Sequence, residues 1–315
     1  MAEVTANGVR LHVQRLSPPG GAAPDAPIVV TVHGMVMDNL SSFYFAVGNS
    51  LASAGAEVIA YDLRGHGKSE RTATGYRLTD AMDDLNAMLD VIGITRPVHL
   101  IGNSYGATLV LAYGLANPAR VASMTLVEPP FQIEGLGEEM ARSLAQVSFG
   151  LSDAEVETWL NEGAGRAVTR ITRSAQKLLN DTSIAADMLE TEPFSPEKLR
   201  ELPTPVLAVY GANSDIIYQA EQLQDLVPSC TLVVLEHHTH MVLREAADYL
   251  RLLLRWWLFD RDAPQPPYTK PENRQQYVTP EWVTQMVPPP DLNAKAQAAA
   301  VTEGAGAEAG SKAPG

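Results

Sequence analysis

The stretch that decides the fold is Val98-His99-Leu100-Ile101-Gly102-Asn103-Ser104-Tyr105-Gly106. A short apolar run, 98–101, comes directly before a GxSxG motif, and a helix-like stretch, 105–116, begins inside it. A strand that turns this sharply into a helix leaves little space around its middle residue, so small residues are needed two positions before and after it. The motif therefore predicts that Ser104 is held out at the carboxyl edge of a sheet.

Similar apolar runs recur along the chain and predict the other strands. They are continuous and rich in β-branched residues, as a strand buried on both faces requires. The runs are 28–32, 58–61, 98–101, 124–127, 206–210 and 232–235, and most are separated by helix-like stretches at 40–54, 79–92, 105–116, 220–226 and 244–259. This alternation predicts an α/β fold with a doubly wound, mostly parallel sheet of about eight strands. A β-hairpin over 4–16, turning at Asn7-Gly8, precedes it.

Two segments depart from this alternation. Residues 128–204 contain several helix-like stretches and no obvious strand, which predicts a helical lid inserted into a core made of 1–127 and 205–260. From residue 261 the composition changes, because nine of the 22 prolines lie in 261–315 and the end, 294–315, is rich in alanine and glycine. We expect 261–315 to form an extended, partly disordered tail, whose aromatic part, 268–286, lies against the folded body.

Composition excludes several classes of partner. The 315 residues carry 23 basic and 37 acidic side chains, a net charge of −14, which argues against binding to nucleic acid. No apolar run reaches the ~20 residues that span a bilayer, so we expect no membrane insertion. The single cysteine, Cys230, cannot form an internal disulfide, and the N-terminus lacks the basic and apolar regions of a secretion signal. A cytoplasmic location is expected.

Two further motifs follow neighbouring strand runs. They are His33-Gly34 and Asp62-Leu63-Arg64-Gly65-His66-Gly67-Lys68-Ser69. Together with the serine motif, this ordered set resembles the α/β-hydrolase family, through most of residues 10–260. The resemblance implies a serine, acid and histidine triad in that chain order, an oxyanion hole, no cofactor and no metal. It also implies that His33, Arg64 and His66 brace loops and do not transfer protons.

The serine needs a base, since its hydroxyl is almost fully protonated at neutral pH, and histidine is the natural candidate. The cluster Glu236-His237-His238-Thr239-His240 follows the last strand run, where the family places its histidine. The family's usual acidic residue five positions later is present for His240, as Glu245, but not for His238. His240 is therefore the predicted base, and His237 and His238 are expected in a solvated loop.

The acid that orients the histidine has two candidates. Asp215 lies in a loop, 210–215, that resembles the family's acid loop, and we predict it as the third triad member. The rival is Glu128, at the end of the run 124–127, because some members of the fold carry the acid there. By resemblance, the backbone N–H groups of Met35 and Tyr105 form the oxyanion hole, which typically stabilises the transition state by a few kcal/mol.

These residues narrow the reaction to attack on an acyl carbon. Relatives that open epoxides or displace halide carry aspartate at the serine position, so those reactions are disfavoured. We expect hydrolysis of a carboxylic ester, thioester or lactone through an acyl-enzyme on Ser104, with a small-molecule acyl substrate. Two alternatives stay open: acyl transfer or elimination on a biosynthetic intermediate by the same triad, and a non-catalytic binding protein of this fold. No motif selects one substrate or one oligomeric state.

Overall fold

The centre of the protein is an eight-stranded sheet, described by a computed structural model that covers residues 2–152, 154, 158, 160–161 and 165–268. The strands are β1 (Ala2–Ala6), β2 (Val9–Leu16), β3 (Ile28–Val32), β4 (Glu57–Tyr61), β5 (Val98–Asn103), β6 (Val121–Val127), β7 (Val206–Gly211) and β8 (Cys230–Leu235). Their order is β1-β2-β4-β3-β5-β6-β7-β8, and only the pairs β1–β2 and β2–β4 are antiparallel among the described strands. The predicted fold class is confirmed.

Helices cover both faces of the sheet. Before β6 these are α1 (41–53), α2 (Leu78–Val91) and α3 (Tyr105–Ala116), and after β7 they are α8 (Tyr218–Leu226), α9 (Val242–Glu245) and α10 (Ala247–Phe259). Neighbouring residues of β3 point to opposite faces, so Val30 joins the core under α2 and α3, whereas Val29 joins the core under α1 and α10. Burial on both faces explains why the strand runs are continuously apolar.

Local geometry agrees with the sequence at the hairpin and departs from it at two helices. Asn7 and Gly8 have φ values of 49° and 73°, as a type I′ turn requires. The last predicted helix, 244–259, is interrupted at Ala246, which separates α9 from α10. The middle turn of α1, Tyr44–Gly48, is π-helical, and Arg251 of α10 donates from Nε to the Ala46 carbonyl at 2.6 Å.

Between β6 and β7 the described residues form helices and no strand. The helices are α4 (Leu136–Leu151), α5 (Arg166–Asp181), α6 (Ile184–Leu189) and α7 (Pro196–Arg200). Arg71, in the loop after β4, donates to Ser174 Oγ of α5 at 2.7 Å, and the Tyr76 N–H donates to Asp187 Oδ2 of α6 at 2.8 Å. The helical segment therefore lies against the loop that follows β4. The tail predicted over 261–315 is described only as far as Tyr268, and 269–315 lie outside the described residues.

Within the part of the chain that the structure covers, no helix combines the length and the apolar character needed to cross a bilayer.

Candidate active site

The serine motif forms the expected turn between β5 and α3. Ser104 has φ 51° and ψ −125°, a conformation outside the favoured regions for L-residues. A β-carbon at Gly102 would overlap the backbone of Gly106 and Ala107, and one at Gly106 would overlap the carbonyl oxygen of Val32. Only glycine fits at both places. The close packing that the sequence motif predicts around Ser104 is therefore present in the fold. The strained serine projects its side chain at the sheet edge.

The structure brings Ser104 and His240 together. His240 lies in the loop between β8 and α9, 136 residues further along the chain, and its Nε2 atom is 3.0 Å from Ser104 Oγ. This distance is within hydrogen-bond reach of the proton that a base must remove. The imidazole is 34% exposed, so water can approach it.

The contact expected between Asp215 and His240 needs a correction. Asp215 Oδ1 lies 4.0 Å from His240 Nδ1, beyond hydrogen-bond distance, and its side chain is 54% exposed. Glu128 Oε2 lies 3.1 Å from the same nitrogen and is fully buried. The reason is the position of each carboxyl group in the chain. Glu128 follows β6 directly, with φ 52°, whereas Asp215 stands four residues beyond the end of β7 on an outer loop.

Both carboxylate oxygens of Glu128 are held by donors from the last residue of β7 and from the loop that follows it. The Gly211 N–H donates to Oε1 at 2.5 Å, and the Ser214 hydroxyl donates to Oε2 at 2.6 Å. Buried charge is costly unless it is hydrogen-bonded, and these contacts satisfy that need. The loop 210–215, which was predicted to supply the acid as Asp215, therefore supplies the donors that hold Glu128. Ser214 carries no recognisable signal in the sequence.

The electrostatics of His240 follow from the two carboxylates. Burial lowers its pKa, but the hydrogen bond to Glu128 and the negative charges of Glu128 and Asp215 outweigh burial, so the pKa of His240 is raised above its ordinary value. A carboxylate beside Nδ1 favours the tautomer with its proton on that nitrogen. Nε2 is then left as the acceptor that faces Ser104.

The oxyanion hole is predicted to consist of the backbone N–H groups of Met35 and Tyr105. Within the described residues, no acceptor is bonded to the N–H of Met35 or to that of Tyr105. Tyr105 is the first residue of α3, so its N–H lies at the positive end of the helix dipole. Both groups are available to an oxygen that gains negative charge.

The loop that carries Met35 is braced by two buried histidines. His33 Nε2 accepts the Leu63 N–H at 2.9 Å, and His66 Nε2 accepts the Val36 N–H at 2.9 Å. Val36 is held at φ 66°, which is rare for a β-branched residue. Burial, together with the neighbouring His33, lowers the pKa of His66 to about 3, so this ring stays a neutral acceptor. These contacts match the bracing role that the resemblance implied.

The two other late histidines differ from each other. His237 is exposed, as expected, and has φ 64°. His238 is 7% exposed, and its Nε2 atom lies 2.7 Å from the hydroxyl of Tyr268. The expectation of a solvated loop was therefore wrong for His238, because its partner comes from a segment 30 residues away. Among the described residues, no group of three histidine, cysteine, aspartate or glutamate side chains could hold a metal ion.

Comparison with known proteins identifies the family. A family model described as the alpha/beta hydrolase family matches residues 29–252, and the chain belongs to that family.

Individual relatives are more distant. Epoxide hydrolase B of Mycobacterium tuberculosis is 30% identical over 131 residues, which cover 41% of this chain and 35% of that protein. Proline iminopeptidase of Heyndrickxia coagulans is 28% identical over 152 residues, 48% of this chain and 50% of that protein. The matched region thus spans only about a third to a half of these curated relatives. The crystal structure of carboxylesterase CesB from Bacillus subtilis, 18% identical, superposes with a TM-score of 0.65 over 82% of this chain and 90% of that chain.

Proposed function

We propose that this protein is a serine hydrolase that cleaves a carboxylic ester, thioester or lactone through an acyl-enzyme on Ser104. The observation that carries the proposal is one connected hydrogen-bond set. Ser104 Oγ lies 3.0 Å from His240 Nε2, and Nδ1 of the same ring lies 3.1 Å from Glu128 Oε2. A nucleophile, its base and a buried orienting carboxylate in this relation are the requirements for acyl transfer to serine.

In the first half of the proposed reaction, Ser104 Oγ attacks the acyl carbon while its proton passes to His240 Nε2. The carbonyl oxygen becomes an oxyanion, which the N–H groups of Met35 and Tyr105 stabilise. The imidazolium then gives the proton to the departing oxygen or sulfur. A water molecule activated by the same ring hydrolyses the acyl-enzyme in the second half.

Glu128 is the proposed third member of the triad, in place of Asp215. It orients the ring through Nδ1 and stabilises the cation that forms during proton transfer. Asp215 adds a weaker, longer-range attraction, since its charge lies 4.0 Å from Nδ1 and faces solvent.

Three features support acyl hydrolysis over the alternative functions. By the family resemblance, epoxide opening uses aspartate at the position that Ser104 fills, so epoxide opening is disfavoured for this chain. The exposure of His240 lets water reach the ring as the acceptor of the acyl group. A binding protein without activity has no need of a buried carboxylate held on both oxygens.

The proposal is tested with a fluorophosphonate probe, p-nitrophenyl butyrate, an S-acyl thioester, a γ-lactone and styrene oxide. Wild type should be labelled on Ser104 and should release free acid from at least one acyl compound, with no diol from the oxide. Ser104→Ala should lose labelling and about 10³-fold or more of the turnover. A matched control is Ser123→Ala, because Ser123 Oγ also contacts an imidazole, His99 Nδ1, at 2.8 Å, but lies on β6.

Three results would count against the proposal. A folded wild type that neither labels nor turns over any compound supports the binding protein. An olefin or a transferred acyl group without free acid supports elimination or transfer. Labelling that survives in Ser104→Ala places the nucleophile elsewhere.

A further inference from the structure

Residues 260–268, which we name the strap, lie along α10 and end beside the loop of the catalytic histidine. Trp256 Nε1 donates to the Ala263 carbonyl at 2.7 Å, and the Tyr249 hydroxyl donates to the Pro266 carbonyl at 3.0 Å. The ring of Tyr268 packs edge-on against that of Tyr249, with centroids 5.0 Å apart. Two backbone carbonyls and one ring thus fix the path of the strap.

At its end, the strap meets His238. The hydroxyl of Tyr268 lies 2.7 Å from His238 Nε2, and the two rings are in edge contact with centroids 5.7 Å apart. The other ring nitrogen, Nδ1, lies 3.4 Å from Glu245 Oε2. A carboxylate beside Nδ1 favours a proton on that nitrogen, so Nε2 accepts the hydrogen bond from the phenol.

Glu245 connects this ring to the residues on either side of His240. Its carboxylate accepts the Thr239 N–H at 2.9 Å and the Thr239 hydroxyl at 2.9 Å. The same hydroxyl oxygen accepts the Met241 N–H at 3.2 Å. The chain is therefore fixed immediately before and immediately after the proposed base. The hydroxyl of Thr239 takes part in both contacts.

The main chain of His238 is fixed as well. Its carbonyl oxygen accepts the Asn213 N–H at 2.8 Å, which joins the histidine loop to the loop that holds Glu128. Movement of His238 would therefore disturb the loop that holds Glu128, which is the partner of His240 at Nδ1.

We propose that the strap is a positioning element of the active site, in which Tyr268, through His238 and Glu245, holds His240 at hydrogen-bond distance from Ser104. This inference rests on the proposed function, since positioning matters for turnover only if His240 is the base. A misplacement of about 1 Å in a catalytic pair can lower the rate about 10²-fold, because the chemical step depends on the near-attack geometry.

The test compares full-length wild type with Tyr268→Phe, which keeps the ring contact and loses the hydroxyl, and with Tyr268→Ala, which loses both. The control is Tyr113→Phe, which removes a tyrosine hydrogen bond of 2.9 Å to Asn86 on the far part of α3. Three quantities are measured: kcat and KM for p-nitrophenyl butyrate, the rate of fluorophosphonate labelling, and the side-chain NMR resonances of His240 at fixed pH.

Tyr268→Phe should lower kcat and the labelling rate about three- to tenfold, the range expected for one hydrogen bond, with KM changed less than about twofold. Tyr268→Ala should lower them further. The resonances of His240 should shift or broaden in both variants and stay unchanged in Tyr113→Phe.

Wild-type kcat, labelling and His240 resonances in Tyr268→Phe would overturn the inference, even if thermal stability fell, because the strap would then be structural only. A rise in KM at constant kcat would also overturn it. If wild type neither labels nor hydrolyses, the proposed function fails, and the His240 resonances alone then decide whether the strap positions this side chain. If Tyr268→Ala does not fold, Tyr268→Phe decides.

Discussion

Glu128 Oε2 lies 3.1 Å from His240 Nδ1, although 112 residues separate the two in the chain. The contact follows from the sheet, because β6 and β8 end at the same edge and both side chains come from the segments that leave it. The strand between them, β7, ends at Gly211, whose N–H donates to the same carboxylate. The same edge of the sheet thus brings together Glu128, the Gly211 N–H that binds it, and His240.

Replacing Glu128 should abolish most of the activity. The carboxylate accepts hydrogen bonds from the Gly211 N–H and the Ser214 hydroxyl and faces His240 Nδ1, whereas an amide offers one oxygen and a donor group. In Glu128→Gln at least one donor is therefore left facing another donor, and the histidine tautomer is no longer selected. We expect kcat to fall about 10²- to 10⁴-fold, measured with p-nitrophenyl butyrate.

Asp215→Asn is the matched variant for this prediction. Its carboxylate is half-exposed and makes no hydrogen bond to His240, so kcat should change by no more than about threefold. The opposite ranking, with Asp215→Asn severe and Glu128→Gln nearly silent, would restore Asp215 as the acid.

The pH profile should report the charges around His240. Its pKa is raised because the bond to Glu128 and the charges of Glu128 and Asp215 outweigh burial. The base must be neutral, so kcat/KM should fall as the pH drops through this raised pKa. Removing the negative charge in Asp215→Asn destabilises the cation, lowers the pKa and moves the acidic limb to lower pH. A limb that moves to higher pH, or that is unchanged at low salt, contradicts this electrostatic account.

Much of the fold could be predicted because its signals are local. The strand runs, the Asn7-Gly8 turn and the close approach at Gly102 and Gly106 each depend on residues adjacent in sequence, and the structure confirms the sheet they imply. Ser104 and His240 were found for a related reason: each lies in a motif at the end of a strand run.

The identity of the acid and the contact between the strap and His238 could not be predicted from local sequence. Glu128 and Asp215 both follow strand runs, and only the tertiary structure shows that one is buried against the ring and the other faces solvent. The burial of His238 depends on Tyr268, a contact that no local pattern encodes. The break between α9 and α10 at Ala246 could not be predicted from local sequence either, because the apolar spacing continues through it.

Ser214 should act through Glu128. Ser214→Ala removes the hydroxyl that donates to Oε2 at 2.6 Å, while the Gly211 N–H keeps the other oxygen in place. We expect kcat to fall about three- to thirtyfold with little change in KM, since a hydrogen bond to a charged group contributes about 1.5–3 kcal/mol at most and other donors remain. Ser214→Thr should restore part of the rate. Equal losses in both variants would indicate a steric effect of this loop.

Stability should depend on pH through His66. Its pKa in the folded protein is lowered to about 3 from 6.5, so the unfolded chain binds the proton more readily. This contribution to stability is therefore fully present above pH 6.5 and is lost as the pH falls toward 3, at up to about 1.4 kcal/mol per pH unit. Urea unfolding at several pH values should show a shallower slope for His66→Gln than for wild type. His237→Asn, at an exposed position that asparagine tolerates, should keep the wild-type slope; equal slopes in all three proteins would contradict the prediction.

The strained backbone of Ser104 should appear as a difference between two inactive variants. Its φ of 51° and ψ of −125° disfavour any side chain, whereas glycine adopts positive φ freely. Ser104→Gly should therefore be more stable than Ser104→Ala by about 1–3 kcal/mol in urea unfolding, with both variants unlabelled by a fluorophosphonate. The control position is Ser50, inside α1. There Ser50→Gly should be less stable than Ser50→Ala, because glycine destabilises a helix interior by about 1 kcal/mol relative to alanine. If alanine and glycine are equally stable at position 104, the fold does not store strain at its nucleophile.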